Sequence, residues 1–346
     1  MYWRLSLIIG IFIVWLMLWL RSLRFWNPDE AIRLWTTESY DVSAWFFSWL
    51  QNMTGIIILQ GPRSDTRQRR SALMWQNNSY IRWRLYDLTD KKAKPWLKNI
   101  SLSSWIQLIM EVNKFQQFGN DFKGRTDYYT GSHVKLLSDQ KLGVNFVHAK
   151  TFVGDKMRAI QTANLTHSSL TKNIEHFVLW IDTRVRDDLL QLFALDQQTI
   201  LANGKKNKKW YADWSRTSSP NLLVCPLNCR AKMEYLIQHA QQSIRISAQY
   251  VTDQRIIAML DKKQLLDLRI RSNDTVDNYP LRDLLGPKVV NLQKTPYSHD
   301  KMFIIDGKYL MIGSMNFSDN ALDNNREIGI ILTDPKLIEE AGRMFR

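Results

Sequence analysis

The chain has 346 residues, of which 45% are hydrophobic and 23% charged, and it contains 14 tryptophans. This composition favours a packed protein and excludes a chain that is disordered throughout. The formal net charge of +14 favours an anionic partner, such as nucleic acid, anionic lipid headgroups or another phosphate-bearing ligand, without choosing among them.

An uncharged run of sixteen residues extends from Leu5 to Leu20, after Arg4. As a helix it is about 24 Å long, and its aromatic and basic flanks extend it enough to cross a bilayer. No small-residue cleavage site follows, so residues 1–26 are predicted to be an uncleaved single-pass membrane anchor rather than a signal peptide. Arginines 21, 24 and 33 lie downstream, which favours a catalytic part on the cytoplasmic side.

Short β-branched segments alternate with amphipathic helices beyond this run, which indicates an α/β fold. The predicted strands are Gly55–Gln60, Ile81–Leu85, Val134–Leu137, Val144–Val147, Ser243–Ala248, Leu266–Arg271 and Val289–Leu292. The predicted helices are Val185–Phe193, Cys229–Gln242 and Pro335–Phe345.

The segment Asn203–Asn221 is rich in Lys, Gly, Ser and Pro and has no sustained period, which is typical of a linker. We therefore predict a first domain over 27–202, a linker over 203–221 and a second domain over 222–346. The lysines of the linker could bind phosphate, but a solvated connection is the simpler interpretation. Cys225 and Cys229 form a lone C-x3-C pair, which we interpret as structural or incidental.

A repeated motif is the strongest organisational signal in the chain. The pattern H-x-K-x4-D occurs as His148-Ala-Lys150-Thr-Phe-Val-Gly-Asp155 and again as His299-Asp-Lys301-Met-Phe-Ile-Ile-Asp306. Further matches follow each motif at a nearly constant offset: Asn164 with Asn316, Asn173 with Asn325, and Glu175 with Glu327. Two chance occurrences with matched downstream residues are improbable, so we predict that the two halves are duplicated units.

These residue types also fit one chemistry. Each half offers an imidazole, an ammonium group and an amide, and a predicted buried strand after each motif places them near one sheet edge. Cleavage of a phosphodiester needs a nucleophile or base, an acid for the leaving oxygen, and donors for the charged oxygens. Two halves together supply all of these groups.

The paired motifs, each followed by Asn and then by Asn-x-Glu, resemble the phospholipase D superfamily. The resemblance covers the chain from about Ile57 to its end and is most specific around the two motifs. It implies two pseudo-twofold-related phospholipase D-like α/β sandwich domains with the active site in their seam. It also implies a phosphohistidine intermediate, catalysis without a metal or other cofactor, and no obligate protein partner, because both half-sites lie in one chain.

The resemblance also implies a role for each matching residue. His148 would attack phosphorus, a choice that rests on family habit, and His299 would protonate the leaving oxygen and then activate water or an alcohol. The phosphate would be held by Lys150, Lys301, Asn164 and Asn316, with Thr162 and Ser314 beside them. Glu175 and Glu327 would orient the histidines. Asp155 and Asp306, the last residues of the motifs, would lie behind the residues that contact the phosphate.

One departure from the family pattern lies in the first half. Gln161-Thr-Ala-Asn164 stands where the family usually has Gly-Ser-x-Asn, which leaves the β-branched Thr162 in the hydroxyl position. We expect this difference to tune phosphate binding without abolishing it.

Four functions are compatible with these residues. The predicted anchor favours a phospholipase D that cleaves a membrane phospholipid, and transfer to a lipid alcohol would make the same site a transphosphatidylase resembling cardiolipin synthases. The net positive charge favours instead a membrane-tethered nuclease acting on nucleic acid. A silent phosphate-binding scaffold is disfavoured because both motifs are intact.

Overall fold

The computed structural model describes residues 141–345, with gaps at 155–157, 165, 167, 170–171, 180–182, 206–207 and 265–266. It also describes the course of five strands, with residue 86, before residue 141. The predicted anchor over 1–26 and Asp155 lie outside the described residues. None of the helices within them combines the length and the hydropathy needed to span a bilayer.

In the part of the chain that the structure describes, the first sheet has eight strands. They are β1 (Leu34–Trp35), β2 (Ile57–Gly61), β3 (Tyr80–Leu85), β4 (Trp105–Met110), β5 (Val134–Ser138), β6 (Thr151–Gly154), β7 (Arg158–Gln161) and β8 (Glu175–Leu179). Their order across the sheet is β1-β2-β8-β7-β6-β3-β4-β5.

The second sheet has seven strands, in the order β9-β15-β14-β13-β10-β11-β12. They are β9 (Leu222–Cys225), β10 (Ser243–Ala248), β11 (Asp267–Asn273), β12 (Val290–Gln293), β13 (Lys301–Ile305), β14 (Tyr309–Gly313) and β15 (Glu327–Leu332). Without its edge strand β1, the first sheet has the order β2-β8-β7-β6-β3-β4-β5. Each of these strands therefore corresponds to the strand at the same place in the second sheet, from β2 with β9 to β5 with β12. The directions agree as well: β3, β4 and β5 pair in parallel, as do β10, β11 and β12, and the other shared pairings are antiparallel.

Within the described residues, six α-helices accompany these strands. They are α1 (Thr183–Leu201), α2 (Lys208–Thr217), α3 (Cys229–His239), α4 (Gln254–Asp261), α5 (Tyr279–Leu285) and α6 (Pro335–Gly342). Asp253 begins α4 by accepting a hydrogen bond from the backbone of Ile256, and Asp334 begins α6 through two backbone N–H groups. Such carboxylate caps satisfy amides that have no partner inside the helix.

Two apolar cores meet at the second sheet. On β13, Phe303 and Ile305 belong to a core inside the second half, whereas Met302 and Ile304 belong to a core shared with the first half. The shared core joins Val153, Ile160 and Val178 of the first sheet to residues of β9, β14, β15, α1, α2 and α6. Because a strand alternates its faces, burial on both sides explains the continuous apolar run of β13.

The structure confirms the α/β class and most predicted elements, and β10 has the predicted bounds Ser243–Ala248. The predicted strand Val144–Val147 is wrong, because only Val147 makes a β-bridge, and its partner, Arg326, lies in the other half.

The predicted linker contains helix α2, and its Tyr211 and Trp214 are buried. A solvated connection therefore describes only part of that segment. Cys225 and Cys229 form a disulfide between the end of β9 and the start of α3.

A buried charged cluster fastens the two halves together. Arg84 of β3 and Arg326, which precedes β15, both donate to the carboxylate of Asp196 on α1, at N–O distances of 3.0 and 2.9 Å. The hydroxyl of Tyr211 on α2 donates to the same carboxylate at 2.9 Å, and Arg326 also donates to the carbonyl oxygen of Cys225 at 3.0 Å. One carboxylate thus links four parts of the chain.

We expect Asp196→Asn to lower the free energy of unfolding by about 3–5 kcal/mol, because it leaves two buried guanidinium groups without their counter-charge. Chemical denaturation of the purified protein measures this difference. Asp213→Asn is the matched control: its ion pair with Arg216 is exposed, so its effect should stay within about 0.5 kcal/mol. Equal effects of the two substitutions would contradict the role given to the cluster.

Candidate active site

The two halves exchange backbone contacts immediately before each predicted motif. One β-bridge pairs Val147 with Arg326, and a second pairs Ile174 with Ser298. In both cases the residue that precedes a motif histidine pairs with the residue that precedes a motif glutamate of the other half. The seam between the halves is therefore built by the same pairing twice.

The histidines are held at this seam by their own backbones. The amide of His148 donates to the carbonyl oxygen of Arg326 at 3.0 Å, and the amide of His299 donates to that of Ile174 at 3.1 Å. Each of these acceptors is followed directly by a motif glutamate. The main chain of one half thus positions the histidine of the other.

The side chains repeat this exchange. Nδ1 of His148 lies 2.9 Å from Oε1 of Glu327, and Nδ1 of His299 lies 2.8 Å from Oε1 of Glu175. Both carboxylates are buried, whereas the histidine side chains are 15% and 10% exposed. A carboxylate at Nδ1 favours the tautomer that carries its hydrogen there, which leaves Nε2 as a lone-pair acceptor. Each histidine is therefore oriented by the glutamate of the opposite half.

The hydroxyls of Thr162 and Ser314 support these carboxylates from behind. Each donates to Oε2 of a glutamate at 2.5 Å, Thr162 to Glu175 and Ser314 to Glu327. Each also accepts a backbone amide, and both side chains are fully buried. The sequence placed both hydroxyls beside the phosphate; in the structure their hydrogens are directed to the carboxylates, so a direct contact with phosphate stays a prediction.

The departure from the family pattern begins at Gln161, which stands before Thr162 where the second half has Gly313 before Ser314. Gly313 of β14 faces Gly329, and a Cβ on Gly313 would lie 2.6 Å from the Gly329 Cα. In the first half Gln161 faces Phe177, so that position accommodates a side chain. Thr162 then makes the same bond to a glutamate that Ser314 makes.

The two motif lysines are fully buried and lie just behind the histidines. Lys150 donates to the carbonyl oxygen of His148 and Lys301 to that of His299, both at 2.6 Å. Each lysine also lowers the pKa of the histidine in the other half as well as that of its own. The two half-sites are thus close enough to act on one another electrostatically.

Asn164 and Asn316 follow the strands β7 and β14 at equivalent positions. In both side chains Oδ1 is buried and makes no hydrogen bond to the described residues. A buried amide oxygen without a partner is unusual in a folded protein. Each of the two amides therefore has an acceptor oxygen that the described residues leave without a hydrogen bond.

Asp306 lies away from the histidines, at the far end of β13. Its carboxylate accepts backbone hydrogen bonds from Gln241, Gln242 and Ser243, at the connection between α3 and β10. These bonds and the charge of Lys308 outweigh partial burial and lower its pKa. The sequence placed Asp306 further from the reacting groups than the other motif residues, and in the structure its side chain holds a turn; any part that it plays in catalysis stays a prediction.

Burial sets the protonation of the histidines. It lowers the pKa of His148 from 6.5 to about 4, against the attraction of Glu327. Burial likewise lowers the pKa of His299, against the attraction of Glu175. Burial alone would raise the pKa of both glutamates, but the paired histidines and nearby lysines outweigh it and lower them. At neutral pH the site therefore contains neutral imidazoles against ionised carboxylates.

Two neighbours of the site were not found from the sequence, and a third, Asn325, was found only as a member of the repeat. Tyr86 follows β3 and packs its ring edge-on against His148 at 4.8 Å, with Nζ of Lys150 5.4 Å from its centre. Gln249 follows β10, the counterpart strand, and its Oε1 accepts from Lys301 at 3.3 Å. Asn325 donates to Glu327 at 3.2 Å. Of these three residues, only Asn325 was indicated by the sequence, because it belongs to the repeated Asn-x-Glu pattern.

The arrangement suits attack on a phosphate ester. It combines two oriented imidazoles with two buried ammonium groups and two amides that can face a bound anion. In the part of the chain that the structure describes, no three histidine, cysteine or carboxylate side chains are grouped so as to hold a metal ion.

Comparison with protein families and curated proteins finds related sequences. The family model described as "Cardiolipin synthase, PLD-like domain" matches residues 233–346. A protein named phospholipase D from Rickettsia conorii is 30% identical over 135 residues, which are 37% of this chain and 68% of that protein. Another of that name from Rickettsia prowazekii is 29% identical over 146 residues, 40% of this chain and 71% of that protein.

The fold also resembles a solved structure. The crystal structure of phosphatidylserine synthase from Haemophilus influenzae aligns with a TM-score of 0.58 and 12% sequence identity. The alignment covers 78% of this chain and 82% of that protein. At this identity the likeness concerns the fold alone.

We expect the free energy of unfolding to fall as the pH is lowered from 6.5 to 4. In this window an unfolded His148 binds a proton that the folded one, with a pKa of about 4, does not, so acid favours unfolding. The loss at pH 4 is on the order of 3 kcal/mol for this residue, and the lowered pKa of His299 acts in the same direction.

Denaturation curves at stepped pH measure this dependence. His148→Gln should flatten it, because the substituted side chain does not titrate. His239→Gln, at an exposed position, should retain the slope of the unaltered protein. Identical slopes for the unaltered protein and His148→Gln would contradict the buried neutral state of His148.

Proposed function

Because this chain belongs to the phospholipase D superfamily, we propose that it is a phospholipase D-type phosphodiesterase that cleaves a phospholipid headgroup phosphodiester through a phosphohistidine. The observation that carries the proposal is the crossed pairing of two histidines with two glutamates in one seam. This pairing prepares one imidazole as a nucleophile and the other as an acid.

His148 is the proposed nucleophile. Its Nδ1 is engaged by Glu327, so Nε2 holds the lone pair that attacks phosphorus. The bond from Nε2 to phosphorus forms as the bond from phosphorus to the leaving oxygen breaks. Glu327 stabilises the positive charge that the phosphorylated imidazole acquires, as a carboxylate does behind an imidazole in other nucleophilic sites.

His299 is the proposed acid and base. It gives its Nε2 proton to the leaving oxygen, and in the second step it takes a proton from the water or alcohol that attacks the phosphohistidine. Glu175 at its Nδ1 keeps the ring oriented in both steps. Lys150, Lys301, Asn164 and Asn316 are the proposed donors to the charged phosphate oxygens.

The charges of the site explain how the acid form arises. Two buried lysines and two buried glutamates cancel when both histidines are neutral. A bound phosphodiester adds one negative charge, which favours one proton on an imidazole and opposes the lowering of the pKa of His299. Substrate binding thus favours the uptake of one proton from solvent by His299, and this is the proton that the leaving oxygen receives.

Related proteins favour lipid as the substrate class. The curated relatives reported above are named phospholipase D, and the predicted anchor over 1–26 would hold the site beside a bilayer, with the catalytic part on the cytoplasmic side. A second candidate is phosphatidyl transfer, favoured by the description of the matching family model as cardiolipin synthase. A third is a nuclease, favoured by the net charge of +14.

We expect the full chain in detergent micelles to release headgroup from phosphatidylcholine or phosphatidylglycerol without added divalent metal. His148→Ala and His299→Ala should each lower the rate by on the order of 10³-fold or more, because each removes a group that acts in every turnover. His239→Ala, at an exposed position, is the matched control and should keep the full rate.

The same assay separates the alternatives. Formation of cardiolipin from phosphatidylglycerol would identify transfer, and cleavage of single-stranded DNA without lipid turnover would replace the lipid proposal with the nuclease. Acid-labile phosphate bound to His299→Ala but absent from His148→Ala would assign the nucleophile to His148. The reverse labelling would overturn that assignment.

A further inference from the structure

Helix α1 ends at Leu201 and helix α2 begins at Lys208; the described residues at and between these two ends form an exposed surface, called the corner below. Among residues 201–210 every described side chain is exposed, and only the turn residue Gly204 is half-buried. The corner contains two large apolar side chains in this exposed setting: Leu201 is 60% exposed and Trp210 is 49% exposed. Single exposed apolar side chains are common, but large ones that lie close together are typical of a surface that binds another molecule or a membrane.

The corner is also strongly basic. Lys205, Lys208 and Lys209 are exposed, and Lys141 lies alongside, because its carbonyl oxygen is 3.1 Å from the position of a Cβ on Gly204. The sequence contains no acidic residue between Asp196 and Asp213. Asp196 is buried within the arginine cluster, and Asp213 pairs with Arg216. The positive charge of the corner is thus left uncompensated by its own helices.

The inner face of α2 holds the corner in place. Tyr211 and Trp214 are buried in the core shared by the two halves. Trp214 donates from its indole nitrogen to the carbonyl oxygen of Asp188 on α1 at 3.1 Å, and Tyr211 donates to Asp196. Lys208, Lys209 and Trp210 are therefore presented on a well-anchored helix whose stability comes from other side chains.

We propose that this corner, defined as Leu201, Lys205, Lys208, Lys209 and Trp210, binds the surface of an anionic lipid bilayer. Tryptophan favours the boundary between headgroups and hydrocarbon, and an exposed leucine gains by entering the hydrocarbon. Each lysine close to an anionic surface strengthens binding about five-fold. The corner combines all three contributions within ten residues.

Nucleic acid is the other polyanion that such a patch could meet, and two features disfavour it. An exposed aliphatic side chain such as Leu201 has no favourable place against phosphates. The cations of the corner are lysines, without the planar guanidinium groups that suit phosphate and base recognition. The bilayer proposal depends neither on the predicted anchor nor on which phosphodiester the active site cleaves.

The test places an environment-sensitive fluorophore beside the corner. Ala202 is exposed, and the two native cysteines are joined in a disulfide, so Ala202→Cys provides one labelling site in the full chain. The labelled protein is reconstituted into vesicles of phosphatidylcholine alone or of equal parts phosphatidylcholine and phosphatidylglycerol. Because the signal is local, attachment through another part of the chain does not produce it.

We expect a blue-shifted, stronger signal in the anionic vesicles only, and its suppression by high salt. In the labelled protein, Lys205→Gln, Lys208→Gln and Lys209→Gln together should reduce the population of inserted label by on the order of ten-fold or more. The matched control replaces three exposed lysines of the second half, Lys262, Lys288 and Lys308, with Gln and should leave the signal unchanged. Thermal melting checks that both triple variants are folded.

Three outcomes would overturn the proposal. One is an equal signal in neutral and anionic vesicles, and another is an unchanged signal in the Lys205, Lys208 and Lys209 variant. The third is a response of the label to single-stranded DNA with no response to vesicles, which would make the corner a nucleic-acid surface. None of these outcomes bears on headgroup release, so this proposal and the proposed function can fail separately.

Discussion

The site depends on one exchange: each motif histidine is oriented by a glutamate from the other half. Burying a carboxylate costs free energy unless several hydrogen bonds or a paired charge replace its contacts with water. Here Glu327 is bonded by His148, Ser314 and Asn325, and its position at the start of β15 places it against the opposite half. Separating the halves would leave both carboxylates without their histidines, so the site exists only while the seam is closed.

The seam is not equally reinforced on its two sides. Beside Glu327, Arg326 joins Arg84 and Asp196 in a buried charged cluster, whereas Ile174 precedes Glu175 at the equivalent position. A buried ion network of this kind is demanding in geometry and therefore specifies one arrangement of its parts. The halves share a strand order, yet the environments behind their two histidines differ, which gives them a physical basis for different roles.

Electrostatic balance connects the fold to the proposed chemistry. Burial brings two lysines and two glutamates into one seam, where their charges cancel and the imidazoles stay neutral. In a site of low dielectric constant, an added charge interacts strongly with the charges already present. In the proposed mechanism, an arriving phosphodiester therefore changes the protonation of the site by its own charge.

The sequence by itself determined the α/β class, the paired motifs and the residues that meet at the seam, because strand periodicity and repeated polar residues are local signals. Only the tertiary structure decided which glutamate orients which histidine, since that exchange depends on how the halves face each other. It also showed that Thr162 and Ser314 donate to the glutamates, and that Val147 forms a β-bridge to the other half. Contacts between distant segments depend on packing, which residue spacing does not encode.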